Sequence, residues 1–157
     1  MPNLFPAGYE NEIVALEDIT TINEKVGYKQ GIAFEYDKGG IELNSKNQIK
    51  DATGIESWRQ WCINCMSIEK GSLNCYSGDI GIETREAFNA DSRELAEALL
   101  TKTITEGLMA DPYGRTSYVE DITFDWINSD SVVVDVTVVG IDDATIDIIT
   151  TLGEKVL

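Results

Sequence analysis

A strict alternation of valine with other residues late in the chain limits which folds the sequence can adopt. Every even position from Val132 to Val138 is valine, and Asp135 and Thr137 stand between them. A period of two residues is typical of a β-strand that buries one face. The segment therefore predicts a strand with a well-defined register in a sheet that has one core face.

Two further alternating segments flank this strand, 122–126 before it and 146–148 after it. Short polar or glycine-containing turns separate them, at Asn128–Asp130 and at Gly140–Asp143. Strands joined by such short turns pair antiparallel, so we expect a C-terminal three-strand meander. On the third strand, the predicted polar face carries Thr145, Asp147 and Thr150.

An earlier alternation, at 32–36, is followed by the turn sequence Lys38-Gly39-Gly40 and by a second short alternation at 41–43. This pattern predicts an N-terminal β-hairpin. Residues 1–28 have no sustained period and are interpreted as an extended N-terminal arm, so residues 29–157 form a single predicted domain. The side chains expected on the buried side of the hairpin are Ile32, Phe34, Tyr36, Ile41 and Leu43.

Two segments have the period of an amphipathic helix, one from Gln48 to Glu69 and one after Asp91. Asp91 and Glu94 match a capping box, and Pro112 is expected to stop the second helix. The predicted class is therefore α+β: the hairpin, two helices packed on a small antiparallel or mixed sheet, and the C-terminal meander. The predicted buried stripes are Ile55, Trp58, Cys62 and Cys65 on the first helix, and Leu95, Leu99, Ile104 and Leu108 on the second.

The charge balance narrows the choice of partners. The chain has 12 basic and 28 acidic residues, and its last 42 residues have 9 acidic residues but only one cation, Lys155. Such a surface repels nucleic acid and anionic membranes and favours a basic protein partner, with acidity for solubility alone as an equal alternative. No basic leader and no apolar run of membrane length is visible, so we expect synthesis and folding in a reducing cytoplasm.

Three cysteines raise the question of a metal or redox site. Cys62 and Cys65 have the spacing of such a pair, with Cys75 as a third thiol, but the chain has no histidine. An odd number of cysteines argues against a disulfide framework, and the first two lie on an apolar helical stripe. We therefore expect reduced thiols without metal.

The acidic residues raise a second question, because two carboxylates can hydrolyse a glycosidic bond. Glu35, Asp79 and Glu83 are the best candidates, but nothing around them predicts the apolar pocket that raises a carboxyl pKa. A Ser-His-Asp triad is excluded because histidine is absent, and no Walker or dinucleotide motif is present. We expect no catalytic residues, no cofactor and no enzymatic activity.

The segment between the two predicted helices resembles a known family. Glu69-Lys70-Gly71-Ser72 closes the first helix, Tyr76 follows, and Gly81-Ile82-Glu83 precedes the second helix. With the order of elements from Ile32 to Ile149, this pattern is similar to the sheath-initiator family of contractile-tail baseplates, found in phages and in phage-tail-like bacteriocins. The opening Leu4-Phe5-Pro6 is similar to the branch found in Gram-positive phages and defective prophages.

The same family has a Glu-Pro-Arg motif between its second helix and its meander. The matching segment here is Asp111-Pro112-Tyr113-Gly114-Arg115, with aspartate in place of glutamate and two extra residues before the arginine. The resemblance implies that Asp111, Pro112 and Arg115 contact wedge proteins. A guanidinium there can bind carboxylates in a bidentate manner, so we expect Arg115 to lie at an interface and to be dispensable for the fold.

The resemblance implies a structural role in a contractile injection system. Members of this family join the baseplate wedge to the tube and sheath, and arms of the first sheath ring add strands to their sheet. The implied partners are the tail sheath protein, the wedge proteins and, as a further candidate, the tail tube, with several copies around the tail axis. The implied link residues are Lys70, Gly71, Ser72, Gly81 and Glu83, and the implied docking strand comprises Thr145, Ile146, Asp147 and Ile148.

Two other interpretations stay open at this stage. Some members of the family carry an old lysozyme label, so a cell-wall glycan hydrolase is the first alternative. A small acidic inhibitor that mimics nucleic acid or masks a basic partner is the second. A lytic assay separates the hydrolase from the others, and neighbouring genes for sheath, tube and wedge proteins separate the baseplate component from the inhibitor.

Overall fold

The fold is α+β, as the sequence predicts, with short strands before the helices and long strands after them. A computed structural model describes residues 28–74 and 78–153, so almost all of the predicted N-terminal arm lies outside the described residues. In chain order, the elements are β1 (Gly31–Ile32), β2 (Phe34–Glu35), β3 (Gly40–Ile41), β4 (Asp51–Ala52), α1 (Gly54–Ser67), α2 (Arg85–Phe88), α3 (Arg93–Met109), β5 (Thr116–Asn128), β6 (Ser131–Gly140) and β7 (Thr145–Gly153).

The three long strands form the predicted antiparallel meander, in the order β5-β6-β7. The four alternating valines of β6 have no exposed surface, and they form the centre of the core. Thr150 is opposite Val134 and therefore lies on the inner face of β7, so its predicted place on the polar face was wrong. The outer face of β7 instead carries Thr145, Asp147, Ile149 and Thr151.

Helices α1 and α3 cover the inner face of this sheet, α1 against β7 and α3 against β5, and they also contact each other. Trp58 of α1 is fully buried, and its indole N–H donates to the hydroxyl of Thr116 at the start of β5 (3.0 Å). The helices and the sheet thus share one hydrophobic core.

Both helices begin later than the sequence predicts. Helix α1 starts at Gly54, because the residues just before it belong to β4 and pair with β1. Its capping box is Thr53 with Glu56, and each side chain bonds the backbone N–H of the other residue. The predicted cap at Asp91 was wrong, because Ser92 is the last non-helical residue and its hydroxyl accepts from the Leu95 N–H (3.2 Å).

The buried stripe of each helix also differs from the prediction. Ile55 is exposed, whereas Trp58, Cys62 and Cys65 are buried as predicted. On α3 the stripe is shifted by one residue in its first half, so that Leu95 is exposed and Leu99 only half-buried. An interval of four residues keeps side chains on one helix face, and the face towards the sheet is Ala96, Leu100, Ile104 and Leu108.

The predicted N-terminal hairpin is present, and β2 pairs with β3 so that Phe34 is opposite Ile41. The expected burial of its apolar side chains was wrong, because the side of the hairpin that faces α1 carries small residues. Ala33 and Ala52 are buried there, and a Cβ at Gly31 would lie only 2.5 Å from the Ser57 hydroxyl. The helix can approach closely only because these residues are small, and the large apolar side chains of the hairpin stay 40% to 51% exposed.

Among the described residues, no helix is both long and apolar enough to cross a membrane.

Candidate functional site

The free edge of β7 is the first candidate site. Strand β7 pairs with β6 through nine consecutive residue pairs, and no other described strand pairs with its second edge. An unpaired edge of this length offers a row of backbone donors and acceptors to an added strand.

The phase of the ladder identifies which backbone groups are unpaired. The Gly140 N–H donates to the Ala144 carbonyl (2.8 Å), so this pair is hydrogen-bonded. Because hydrogen-bonded and non-hydrogen-bonded pairs alternate between antiparallel strands, the odd-numbered residues of β7 direct their N–H and C=O groups away from β6. These residues are Thr145, Asp147, Ile149, Thr151 and Gly153.

The predicted docking strand is thus divided between two roles. Ile146 and Ile148 point into the core and bond to β6, so they hold the strand in place. Thr145 and Asp147 are exposed, and the Asp147 carboxylate accepts a hydrogen bond from the Thr137 hydroxyl across the outer face (3.0 Å). Extending the alternation from these two residues would have identified Ile149 and Thr151, which the sequence analysis did not assign to the edge.

Strand β5 forms the other edge of the sheet, and it is less suited to an added strand. Its pairing with β6 has three register shifts, near each end and after Val119. Such irregularities twist an edge and interrupt its ladder, which protects it from pairing. The regular edge of the sheet is therefore β7.

A groove with a volume of about 470 Å³ lies beside β7. Strand β2 and helix α1 form its other walls, with Phe34 and Ile63 as apolar lining and Ile149, 70% exposed, on the β7 side. The Tyr36 hydroxyl donates to the Gln60 carbonyl (3.2 Å), which fixes the position of that ring at the groove. An extended segment paired with β7 can place alternate side chains in this groove.

The outer face of the sheet is acidic. Residues 116–153 carry eight acidic side chains and no lysine or arginine. Register places Asp121, Asp125, Asp135 and Asp147 on this outer face, with helices only on the other face. The electrostatic field of this face favours a partner that carries Lys or Arg.

The predicted wedge-contact residues lie in the turn between α3 and β5. Asp111 and Arg115 are buried and form an ion pair, with the Arg115 Nε and Nη2 each 2.8 Å from a carboxylate oxygen. The Arg115 backbone N–H also donates to Asp111 (2.9 Å), and the guanidinium lies over the Tyr113 ring. Pro112 and Tyr113 are exposed at the tip of this turn.

Burial of Arg115 changes what its removal should do. The guanidinium has almost no surface available to a partner, so the expectation that it is dispensable for the fold is replaced by a structural role. Its expected contact with wedge proteins stays a prediction, and the exposed Pro112 and Tyr113 are the residues of this segment that can make it directly.

Burial and bonding shift several pKa values at this turn. Burial opposes ionisation of Asp111, but the bonds from Arg115 outweigh it and hold the pKa of this carboxyl below its usual value. Burial raises the pKa of the Cys62 thiol to about 12, and it also raises the pKa of Cys65. Both thiols are free and lie in the core on α1, whereas Cys75 lies outside the described residues. No group of metal-ligating side chains occurs within residues 28–74 and 78–153.

The link between α1 and α2 folds back on the helices. The Lys70 N–H donates to the Ile82 carbonyl, and the Ile82 N–H donates to the Ile68 carbonyl, both at 3.0 Å. Gly81 has a φ of +106°, and a Cβ there would lie 2.6 Å from the Ile68 oxygen, so glycine is required. The Glu83 N–H donates to the Thr103 hydroxyl of α3 (2.7 Å). The link therefore joins the two main helices.

Two link residues predicted from the motif, Gly71 and Ser72, are exposed on the surface of this loop. The sequence analysis gave no role to Thr84, although it completes the closure of the link. The Glu69 carboxylate accepts bonds from the Thr84 backbone N–H and hydroxyl. The sequence signal for this contact is a glutamate, Glu69, just after α1 and a threonine, Thr84, just before α2.

The three candidate catalytic carboxylates are not brought together in a pocket. Glu35 forms a surface ion pair with Lys38 (2.7 Å), and Asp79 and Glu83 are exposed. None of the three lines the groove beside β7.

Compared with known proteins, the chain matches no protein-family model and no curated protein.

Proposed function

We propose that this protein is a structural baseplate component of a contractile tail, which joins the wedge to the tube and sheath and templates sheath polymerisation. In this role β7 accepts an extended arm of the tail sheath protein, which adds a strand to the sheet. The protein is not an enzyme in this proposal. Its place is the baseplate of a phage tail or of a phage-tail-like bacteriocin, in several copies around the tail axis, after assembly in the bacterial cytoplasm.

The observation that carries the proposal is the regular, unpaired edge of β7. Five residues of this strand direct their backbone groups away from β6, and the ladder that orients them has no bulge. An exposed edge of this kind risks self-association. Asp147 on the edge strand and Asp135 beside it place like charges between two copies that approach edge to edge, which disfavours such pairing.

The surfaces beside the free edge of β7 indicate which side chains the sheath arm should carry. The groove beside β7 combines apolar side chains such as Phe34 and Ile63 with charged ones such as Glu56 and Arg59, which suits both apolar and polar side chains at alternate positions of the added strand. The acidic outer face suits Lys or Arg at the intervening positions. Backbone pairing then supplies affinity, and these two sets of side chains supply the register.

The turn between α3 and β5 is the proposed contact with the wedge proteins. The Asp111–Arg115 pair fixes the shape of this turn, so that Pro112 and Tyr113 stay exposed at its tip. The buried Asp111–Arg115 pair therefore contributes to the wedge contact indirectly, by holding this turn in shape.

Imaging of native particles tests the proposal most simply. A tagged copy of the chain, expressed in its own host, is used to isolate the assemblies that contain it. We expect contractile tails with the tag at the baseplate end of the sheath, seen by electron microscopy. Recovery of the chain as a free protein, or in an assembly without a sheath, would contradict the proposal.

A lytic assay tests the enzyme alternative. We expect the purified protein to leave peptidoglycan intact, because Asp79 and Glu83 are exposed and Glu35 is paired with Lys38. Clearing that disappears in Glu83→Gln or Asp79→Asn would establish a hydrolase.

A further inference from the structure

A cleft with a volume of about 140 Å³ lies beside the C-terminal part of β7 and is separate from the groove described above. Its lining comes from the end of α1, from the link between α1 and α2, and from β7, and includes Met66, Glu69, Ile82, Thr84 and Leu152. Thr151 and Gly153 also line it, and the backbone groups of these two residues point away from β6. The cleft, called the end cleft here, therefore adjoins the free edge of β7.

The link between α1 and α2 builds one wall of the end cleft. The two ends of the link lie side by side, because Glu69 and Ile82 form a parallel bridge and the Glu69 carboxylate accepts from the Thr84 hydroxyl. Gly81 allows this close approach, since a Cβ there would lie 2.6 Å from the Ile68 oxygen. Strand addition alone leaves these link residues without a role, and the end cleft gives them one.

The surface of the end cleft is mainly apolar. Three of its apolar side chains are almost fully buried, at 1% to 6% exposed: Met66, Ile82 and Leu152. The one carboxylate in its lining, Glu69, already accepts bonds from the backbone N–H and hydroxyl of Thr84. A cavity of this size with apolar walls can hold a group about as large as benzene. The end cleft therefore suits one aliphatic side chain, such as that of valine, leucine or isoleucine.

We propose that the end cleft takes one aliphatic side chain of the extended sheath arm that pairs with β7. This inference rests on the proposed function. Directly opposed residues of neighbouring strands share a face, so the arm residues on the helix side lie opposite Ile148, Thr150 and Leu152. The arm residue opposite Ile148 faces the groove, and the one opposite Leu152 faces the end cleft. These two arm residues are four positions apart.

Two separate cavities specify the register of the arm. Helix α1 runs alongside β7, with Ile63 at the groove and Met66 at the end cleft. A strand that slips by two residues keeps each side chain on its own face, so alternation alone does not prevent such a slip. A two-residue slip would, however, move the aliphatic side chain out of the end cleft and bring a different one to it. The end cleft thus favours one register over its neighbours.

Binding of sheath peptides to a cleft-filling variant tests this proposal. The probes are overlapping synthetic peptides that cover the sheath protein recovered with the tagged chain. Thr150→Leu directs a larger side chain into the end cleft and leaves the free edge in place, because Thr150 lies on the inner face of β7. Thr101→Leu, the same change at an exposed position of α3, is the matched control. We expect the dissociation constant of the bound peptide to rise about tenfold or more with Thr150→Leu and to stay unchanged with Thr101→Leu.

A substitution in the bound peptide locates the contact. Replacing its cleft-facing aliphatic residue by alanine should weaken binding to the native chain about tenfold. The same replacement should weaken binding to Thr150→Leu much less, because the end cleft of that variant is already filled.

Methyl NMR on the native chain provides a measurement that does not depend on how the variants fold. We expect the methyl signal of Met66, which lines the end cleft, to shift when the peptide is added. The methyl signal of Met109, exposed at the end of α3, is the internal control and should stay unchanged.

The possible results separate this proposal from the proposed function. Equal binding of the peptide by the native chain and by Thr150→Leu, with binding lost in Asp147→Pro, overturns the role of the end cleft and leaves strand addition intact. Failure of every sheath peptide to bind the native chain overturns strand addition and this proposal with it. A Met66 signal that the peptide leaves unchanged, but that deletion of residues 154–157 shifts, assigns the end cleft to the chain's own C-terminal residues and also overturns the proposal.

Discussion

At the scale of single residues, the buried pair of Asp111 and Arg115 is the most consequential finding. Sequence reasoning identified both residues through a motif, but it could not show that they bond each other. Two extra residues in the motif make a turn, and this turn brings the arginine back onto the aspartate four positions earlier. The contact depends on how the turn folds, which the spacing alone does not determine.

Arg115→Ala should destabilise the fold strongly, because it leaves the Asp111 carboxylate buried without its partner. We expect a loss of about 3–5 kcal/mol in the free energy of unfolding, measured by urea denaturation. Arg85→Ala, at an exposed position of α2, is the control and should change it by less than about 0.5 kcal/mol. Equal, small effects of both variants would show that the pair does not support the fold.

The same pair predicts a dependence of stability on pH. The folded state lowers the pKa of Asp111, so its contribution to stability is complete above the ordinary carboxyl value of about 3.9 and is lost as the pH falls through the lower, folded value. The difference in unfolding free energy between native protein and Asp111→Asn should therefore shrink as the pH falls below about 4. A difference that stays constant across this range would contradict the assigned cause.

At the scale of elements, the long strands could be predicted and the short ones only in part. Alternation located the meander because one face of it packs on a core. In the hairpin the same alternation located the strands but predicted the wrong buried side chains. The large apolar residues are exposed there, and the residues packed against α1 are glycine and alanine. The start of α1 was missed because residues 51–52 pair with β1, a tertiary contact that a helical period does not report.

The link between the helices provides a prediction at this scale, based on two glycines with positive φ. Gly71 (φ +74°) has open space around its Cα, whereas Gly81 (φ +106°) lies against the Ile68 carbonyl. Gly71→Ala should cost about 1–2 kcal/mol for its backbone conformation alone. Gly81→Ala should cost at least about 1 kcal/mol more, because it adds a steric clash. Thermal and urea unfolding of both variants check this, and equal costs would mean that the link is not packed as described.

At the scale of the whole molecule, the chain has a neutral hairpin, a core of two helices and an acidic sheet with one regular free edge. The sheet, its order and its open edge follow from the sequence pattern. The sequence pattern does not predict the direction of each backbone group on that edge. This direction depends on which residue pairs of the ladder are hydrogen-bonded, and the Gly140–Ala144 pair determines that.

Sheath assembly with two variants of Asp147 tests whether the free backbone edge of β7 accepts the sheath arm. Asp147→Ala keeps the backbone N–H that points to the free edge, and Asp147→Pro removes it, while both lose the same side-chain bond to Thr137. Each variant is first checked for folding, which both should retain because this N–H does not pair with β6. Sheath length on assembled tubes is then measured by electron microscopy. We expect near-normal sheaths with Asp147→Ala and short or absent sheaths with Asp147→Pro. Full-length sheaths nucleated by the folded proline variant would show that the sheath does not dock on the edge of β7.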